Sequence, residues 1–178
     1  DIEFKSEYLY LSLGPGGFSV FDVHDKSQPQ EVAHYAGTFY DSVVENNLIL
    51  LANWDYGVQL YDIRDGSSPK LISDQSIAKK TSSIYSTGEW AYVTVAKPNS
   101  NVGGSSGVDL YSINVTDPFS PALGSSIPLS RSVLGMDVYK DNLYLANYAW
   151  GLTILDLHSP SQPKIIDNFG QYGLGDLA

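Results

Sequence analysis

The sequence predicts an all-β protein, a β-propeller with four four-stranded antiparallel blades. Three observations predict this fold class. A related segment recurs four times at intervals of about 40 to 50 residues, which is the length of one propeller blade. Within each segment, apolar and polar residues alternate with a period of two, as β-strands require. Clusters of glycine, proline, aspartate and serine separate these runs and predict tight turns.

The four segments share an apolar run, a loop, a second apolar run and a proline-containing turn. They span residues 8–32, 48–72, 90–123 and 143–166. A short alternating stretch precedes each of them, at 2–4, 42–44, 83–85 and 136–139. Each unit therefore predicts four strands, named A to D from the inner to the outer edge, with strand D the shortest. The approximate blades are 1–36, 37–76, 77–130 and 131–170, and 171–178 resembles the start of a fifth.

The end of strand C carries a recurrent polar residue. It is Asp22, Asp62 and Asp156 in three units, and we align Ser112 with it in the third unit. An aspartate at this point accepts N–H groups of the tight turn that follows. Recurrence in successive blades favours this structural role over a ring of catalytic carboxylates, because a reaction needs different neighbours around one point.

The third unit has two features of its own. The insert 96–106 lengthens the loop between strands B and C, and we interpret it as a surface loop. Asn114 begins an Asn-Val-Thr triplet, which would accept an N-linked glycan in a eukaryotic secretory pathway.

These units resemble the LVIVD repeat family of bacterial and archaeal surface proteins. The matching residues are GVQLYDI at 57–63, WAYV at 90–93 and GLTILDLHSP at 151–160. Pro69 and Pro163 occupy the position of the second proline of the family's motif. The resemblance implies a secreted or surface-anchored propeller that acts in binding or assembly, and it implies no shared catalytic residues.

Composition excludes several classes of function. Ten Lys and Arg against twenty Asp and Glu give a net charge of -10, which disfavours nucleic acid and anionic membrane surfaces as partners. No apolar run approaches the roughly 20 residues of a membrane-spanning helix, so we expect no membrane insertion of this segment. Cysteine is absent, and His24, His34 and His158 do not have metal-ligand spacing. We therefore expect neither a metal nor a cofactor.

Aromatic residues in predicted loops give the strongest functional signal. Two B–C loops contain an asparagine followed by two aromatic residues, and several polar or aromatic residues lie near the D–A connections. The candidate ligand-binding residues are Asn53, Trp54, Tyr56, Asn147, Tyr148, Trp150, Tyr40, Arg131 and Tyr172. Aromatic rings beside amides suit sugars, peptides or proteins. The alternative is that these rings wedge between neighbouring blades.

We therefore expect a non-enzymatic extracellular or cell-surface interaction module that binds a glycan, a protein or a neighbouring subunit through its loop face. Two alternatives remain open. One is a hydrolase or lyase at the propeller channel, for which Asp41, Asp137 and Asp176 are the carboxylates on predicted A strands. The other is an architectural subunit of a surface layer or filament.

The chain is expected to be part of a larger propeller. Residues 1–4 and 173–178 each resemble an inner strand, and we expect them to belong to different blades. An inner strand without its own B strand leaves backbone groups that need partners. We therefore expect another chain or further sequence to complete the ring, and the 178-residue chain to associate in solution. The alternative is that the chain closes by itself as a four-bladed ring.

Overall fold

The structure is a computed structural model that describes residues 1–75, 80–97, 107–129, 132–147 and 151–170. Within these ranges the chain forms sixteen strands and no helix. In chain order the strands are β1 Ile2–Lys5, β2 Tyr8–Ser12, β3 Phe18–Asp22, β4 Gln30–Tyr35, β5 Phe39–Glu45, β6 Leu48–Asn53, β7 Gly57–Asp62, β8 Lys70–Gln75, β9 Thr81–Ser86, β10 Trp90–Ala96, β11 Val108–Asn114, β12 Ala122–Pro128, β13 Val133–Tyr139, β14 Asn142–Asn147, β15 Gly151–Asp156 and β16 Lys164–Phe169. The all-β prediction is confirmed. None of the described residues forms a helix long and apolar enough to cross a membrane.

The strands form four sheets of four consecutive antiparallel strands, β1–β4, β5–β8, β9–β12 and β13–β16. We call these sheets blades one to four, and strands A to D are the successive strands of each blade. The sequence had indicated that strand D is the shortest strand of each blade, and this prediction is wrong. In blade one, strand β4 has 6 residues and β1 has 4. Strand β4 is long because the C–D turn ends early enough for it to pair with β3 from Phe18 to Asp22.

Three apolar layers between the blades form the core. One layer joins blades one and two, the next joins blades two and three, and the third joins blades three and four. In the second layer, Leu50 and Leu60 of blade two pack with Val93 and Ile113 of blade three. Central strands such as β6 are therefore buried on both faces, which explains their continuous apolar runs. The blades follow one another face to face, in a propeller-like arrangement.

The register corrects the alignment of blade three. Asn114, not Ser112, pairs with the first residue of its B strand, as Asp62 does in blade two. The Asn114 side-chain oxygen accepts the backbone N–H of Thr116 at 3.0 Å, so the turn is kept with asparagine in place of aspartate. Ser112 is buried two residues earlier, and its hydroxyl donates to the carbonyl of Ser161 in blade four at 2.9 Å.

The aspartates at the ends of the other C strands form the predicted turns. In each case one carboxylate oxygen accepts the N–H of the residue two positions later. The pairs are Asp22 with His24 at 2.8 Å, Asp62 with Arg64 at 2.9 Å and Asp156 with His158 at 2.8 Å. The side chain of Arg64 holds the pKa of Asp62 below its usual range, and the backbone N–H of His158 does the same for Asp156. The structural interpretation of the recurrent aspartate is confirmed.

Candidate functional site

The loop face is the end of the array where the B–C loops meet the D–A connections. Gly14 of the first B–C loop exchanges two backbone hydrogen bonds with Phe39, at 2.6 and 3.0 Å. Trp54 of the second loop donates its N–H to Thr38 at 2.9 Å and accepts the N–H of Lys80 at 2.7 Å. Loops and connections therefore share one face in the first two blades, and the main chain around Trp54 is tied on both sides.

Three side chains on this face form what we call the aromatic cluster: Tyr40, Trp54 and Lys80. The rings of Tyr40 and Trp54 meet edge to face, with centroids 5.5 Å apart. The Lys80 ammonium lies 5.9 Å from the Trp54 ring centroid, within range of a cation–π interaction. Trp54 is half-buried, so part of its ring remains exposed. The cluster thus combines an aromatic surface with an adjacent positive charge.

The residues of the aromatic cluster come from three separate segments of the chain. Tyr40 is the second residue of β5, Trp54 directly follows β6, and Lys80 directly precedes β9. Lys80 has a φ of 70°, a left-handed conformation that turns the chain into blade three. Lys80 could not be recognised from the sequence, because nothing in its local pattern separates it from an ordinary connecting residue.

Tyr56 is the exposed aromatic residue of the same loop, with 53% of its surface accessible. Gly57 follows it with a φ of 90°, which lets the loop close into β7. Gly151, at the same point of blade four, has a φ of 94°. The two loops thus share a glycine that enters strand C with a positive φ.

Asn53 holds this loop from inside and is almost fully buried. Its side-chain oxygen accepts the N–H groups of Asp55 at 2.9 Å and Tyr56 at 3.1 Å. Its amide nitrogen donates to the Gln59 side chain at 3.1 Å. Asn53 therefore positions Trp54 and Tyr56. Its assignment to ligand contact stays a prediction.

Asn147 is the corresponding residue of blade four, and its side chain also bonds to a residue of strand C. Its amide nitrogen donates to the Thr153 hydroxyl at 2.8 Å, and that hydroxyl donates to the Asn168 side chain at 2.6 Å. Thr153 occupies the register position that Gln59 has in blade two. Four other predicted site residues, Arg131, Tyr148, Trp150 and Tyr172, lie outside the described residues.

Asp41 connects the inner strands of blades two and three. Its two carboxylate oxygens accept the N–H groups of Ser42 at 3.0 Å and Ile84 at 2.9 Å. Burial nevertheless raises the pKa of Asp41. Glu3, on the inner strand of blade one, also has a pKa raised by burial, although a hydrogen bond with the backbone of Val44 opposes the shift. On the inner strands that the structure describes, Glu3 and Asp41 are the carboxyl groups whose pKa is raised.

Asp137 has a different environment from Asp41. It is exposed on β13, and it accepts the N–H of Val138 at 2.8 Å. The third predicted carboxylate, Asp176, lies outside the described residues. In the part of the chain that the structure describes, no group of three or more His, Asp or Glu side chains could hold a metal ion.

Four four-stranded blades packed face to face define a β-propeller-like repeat protein. The family model for the LVIVD repeat matches residues 1–37 and 130–170, which contain the first and fourth blades. The resemblance drawn from the sequence is therefore confirmed, and the chain carries LVIVD repeats in these two segments. A comparison with curated proteins finds no match.

Several solved structures share this fold. A functionally unknown protein from Desulfotomaculum acetoxidans DSM 771 superimposes with a TM-score of 0.69 at 11% identity, over 96% of this chain and 55% of that chain. The computationally designed Ika8 protein gives a TM-score of 0.65 at 9% identity, over 94% and 47%. The designed Ika4 protein gives 0.62 at 8% identity, over 88% and 89%. The chain thus spans about half the length of the first two, and similarity at such identities shows the fold alone.

Proposed function

We propose that this protein is a non-enzymatic interaction module of the cell surface or extracellular space, and that its loop face binds a ligand at the aromatic cluster. The observation that carries this proposal is the arrangement of Tyr40, Trp54 and Lys80. A partly exposed indole offers a stacking surface, and the ammonium beside it offers a partner for an anionic group. Among a glycan, a protein and a neighbouring subunit, this combination best suits a glycan that carries carboxylates, because a sugar ring can stack on Trp54 while one carboxylate pairs with Lys80. The affinity then comes from these local contacts and not from the net charge of -10, which opposes it.

The buried amides beneath the cluster support this proposal. Asn53 fixes the loop through three hydrogen bonds, so Trp54 and Tyr56 need little ordering when a ligand binds. A pre-ordered surface loses less conformational entropy on binding than a disordered one. The proposed extracellular or surface location rests on the family resemblance alone, and protease treatment of intact cells would test it.

The experiment is a binding titration with polygalacturonate as the acidic probe and dextran as the neutral one. Trp54→Ala should weaken polygalacturonate binding at least tenfold, as loss of a central aromatic contact does in other interfaces. Lys80→Gln should weaken it less and should reduce its dependence on salt. The control is Phe119→Ala, because Phe119 is 74% exposed in the C–D turn of blade three, away from the loop face.

Binding of the acidic probe that Trp54→Ala leaves unchanged would contradict the proposed site. If neither sugar binds but a protein partner is captured and its binding depends on Trp54, the protein is still an interaction module. Its ligand is then a protein and not a glycan.

A hydrolase or lyase at the channel is the second candidate, and the raised pKa values of Glu3 and Asp41 favour it. Both oxygens of Asp41 already bind backbone N–H groups, which favours a structural role instead. Release of new sugar ends from polygalacturonate, abolished by Asp41→Asn in a folded variant, would establish the enzyme. If neither the native protein nor Asp41→Asn cleaves polygalacturonate, and both bind it equally well, the result supports the binding module.

A further inference from the structure

In the part of the chain that the structure describes, the first and the fourth blade each have an apolar face that no other blade covers. On blade one this surface, which we call the leading face, consists of Ile2, Phe4, Leu9, Leu11 and Phe21. Direct strand pairing places these side chains on the same side, through Ile2–Leu11, Phe4–Leu9 and Leu9–Phe21. Ile2 is 57% exposed and Phe4 is 64% exposed.

Blade two shows what covers such a face. The residues at the register positions of Leu9, Leu11 and Phe21 are Ile49, Leu51 and Tyr61. Their exposures are 0%, 0% and 6%, because blade one packs against them. The leading face is thus the same kind of surface without its covering blade.

Blade four has the opposite face, which we call the trailing face: Tyr144, Leu152, Ile154 and Phe169. Strand pairing aligns Tyr144 with Ile154, and Leu152 with Phe169. Phe169 is 55% exposed, and the other three are half-buried. The equivalent residues of blade one that lie on strands B and C are Tyr10, Phe18 and Val20, and all three are fully buried against blade two.

A tyrosine hydrogen bond recurs at these interfaces. The hydroxyl of Tyr10 donates to the carbonyl of Gly66 in the next blade at 3.2 Å. The hydroxyl of Tyr92 donates to Pro160 of its next blade at 3.3 Å. Tyr144 has the same register position on blade four. The trailing face therefore carries the donor of a bond that two other blades already make to their successors.

Blade one carries the matching acceptor. Gly66 is four residues after the aspartate that ends strand C, as Pro160 is in blade four, and Lys26 has this position in blade one. The turn around Lys26 is held by Asp22 and Asp25, whose carboxylates accept N–H groups at 2.8 and 2.9 Å. A second copy of this chain thus offers both an uncovered apolar face and the carbonyl that Tyr144 requires.

We propose that two copies of this chain associate head to tail, with the trailing face of each on the leading face of the other. Two such contacts close the pair into a ring of eight blades, the upper end of the usual range for propellers, whereas contacts that do not close would grow into a filament. The exposure of Ile2, Phe4 and Phe169 argues against closure of one chain on itself. This inference concerns the ends of the array and does not rest on the proposed function of the loop face.

The interface between blades one and two indicates which residues of the two copies should meet. The Phe18 and Tyr61 ring centroids there are 6.2 Å apart. Leu152 and Phe21 have the equivalent positions, so Leu152 of one copy should lie against Phe21 of the other.

The experiment uses the absence of native cysteine. The single variants Leu152→Cys and Phe21→Cys are mixed and treated with a short bismaleimide, and we expect a cross-linked product of twice the chain mass. Leu152→Cys mixed with Phe119→Cys is the matched control and should give little product. Sedimentation equilibrium should show a dimer, and Tyr144→Phe, which keeps the ring, should weaken it about tenfold because two symmetric hydrogen bonds are lost.

Other outcomes would overturn this proposal. A protein that stays monomeric at about 100 μM would contradict the proposed pair. The two faces would then be covered either by closure of one chain on itself or by other segments. Internal cross-linking in the double variant Phe21→Cys/Leu152→Cys would identify the first of these cases. Assemblies that grow with concentration beyond the dimer would show a filament instead of a ring.

Discussion

Replacement of Phe18 by alanine should strongly destabilise the contact between blades one and two. Phe18 is fully buried, and its ring contacts four aromatic rings. The centroid distances are 6.2 Å to Tyr10, 5.6 Å to Tyr35, 5.9 Å to Phe39 and 6.2 Å to Tyr61. Loss of a buried phenyl group in such surroundings costs about 4 kcal/mol, from lost transfer free energy and the cavity that remains.

Urea denaturation followed by far-UV circular dichroism measures this change. With an m-value of about 2 kcal/mol/M, the midpoint should fall by about 2 M. Phe119→Ala is the matched control, since Phe119 is 74% exposed and its loss should change stability by less than about 0.5 kcal/mol. A loss below about 1 kcal/mol for Phe18→Ala would show that the two blades do not share this core.

Two further predictions concern the loop and the inner strands. Asn53→Ala removes the acceptor of two N–H groups and should cost about 2 kcal/mol in thermal unfolding, whereas Tyr56→Ala in the same loop should change little. Carboxyl-detected NMR should show Asp41 titrating above its usual range and Asp62 below it. Because the folded pKa of Asp41 is raised, its stabilising contribution is complete below the unfolded pKa and is lost as pH rises through the folded pKa. Because the folded pKa of Asp62 is lowered, its stabilising contribution is present above the unfolded pKa and is lost as pH falls through the folded pKa. Equal titration midpoints for Asp41 and Asp62 would contradict the assignment of their environments.

The strands and turns could be predicted because each is specified locally. Period-two patterns defined the strands, and the turn-forming aspartates Asp22, Asp62 and Asp156 bind N–H groups two residues away. The error at Ser112 has a physical cause. A shift of two residues along a strand leaves every side chain on the same face, so the apolar pattern could not distinguish Ser112 from Asn114.

The candidate site could be predicted only in part. Trp54 could be predicted as a site residue because it lies beside the Asn53 amide in a predicted loop, and an aromatic ring beside an amide suits a ligand. It could not show that the Asn53 amide would be used up inside the loop, because a side-chain amide can bind the backbone or a ligand equally well. Lys80 joins the cluster through a contact between separate blades, and such contacts are set by packing and not by local pattern.

The most direct test of the central claim is NMR mapping of the polygalacturonate-bound protein. The claim is that ligands bind the loop face around the aromatic cluster. Amide shifts should concentrate in residues 13–17, 36–40 and 54–56 and at Lys80, which the backbone bonds bring to one face. Shifts that instead concentrate in the C–D turns, at the opposite end of the strands, would contradict it.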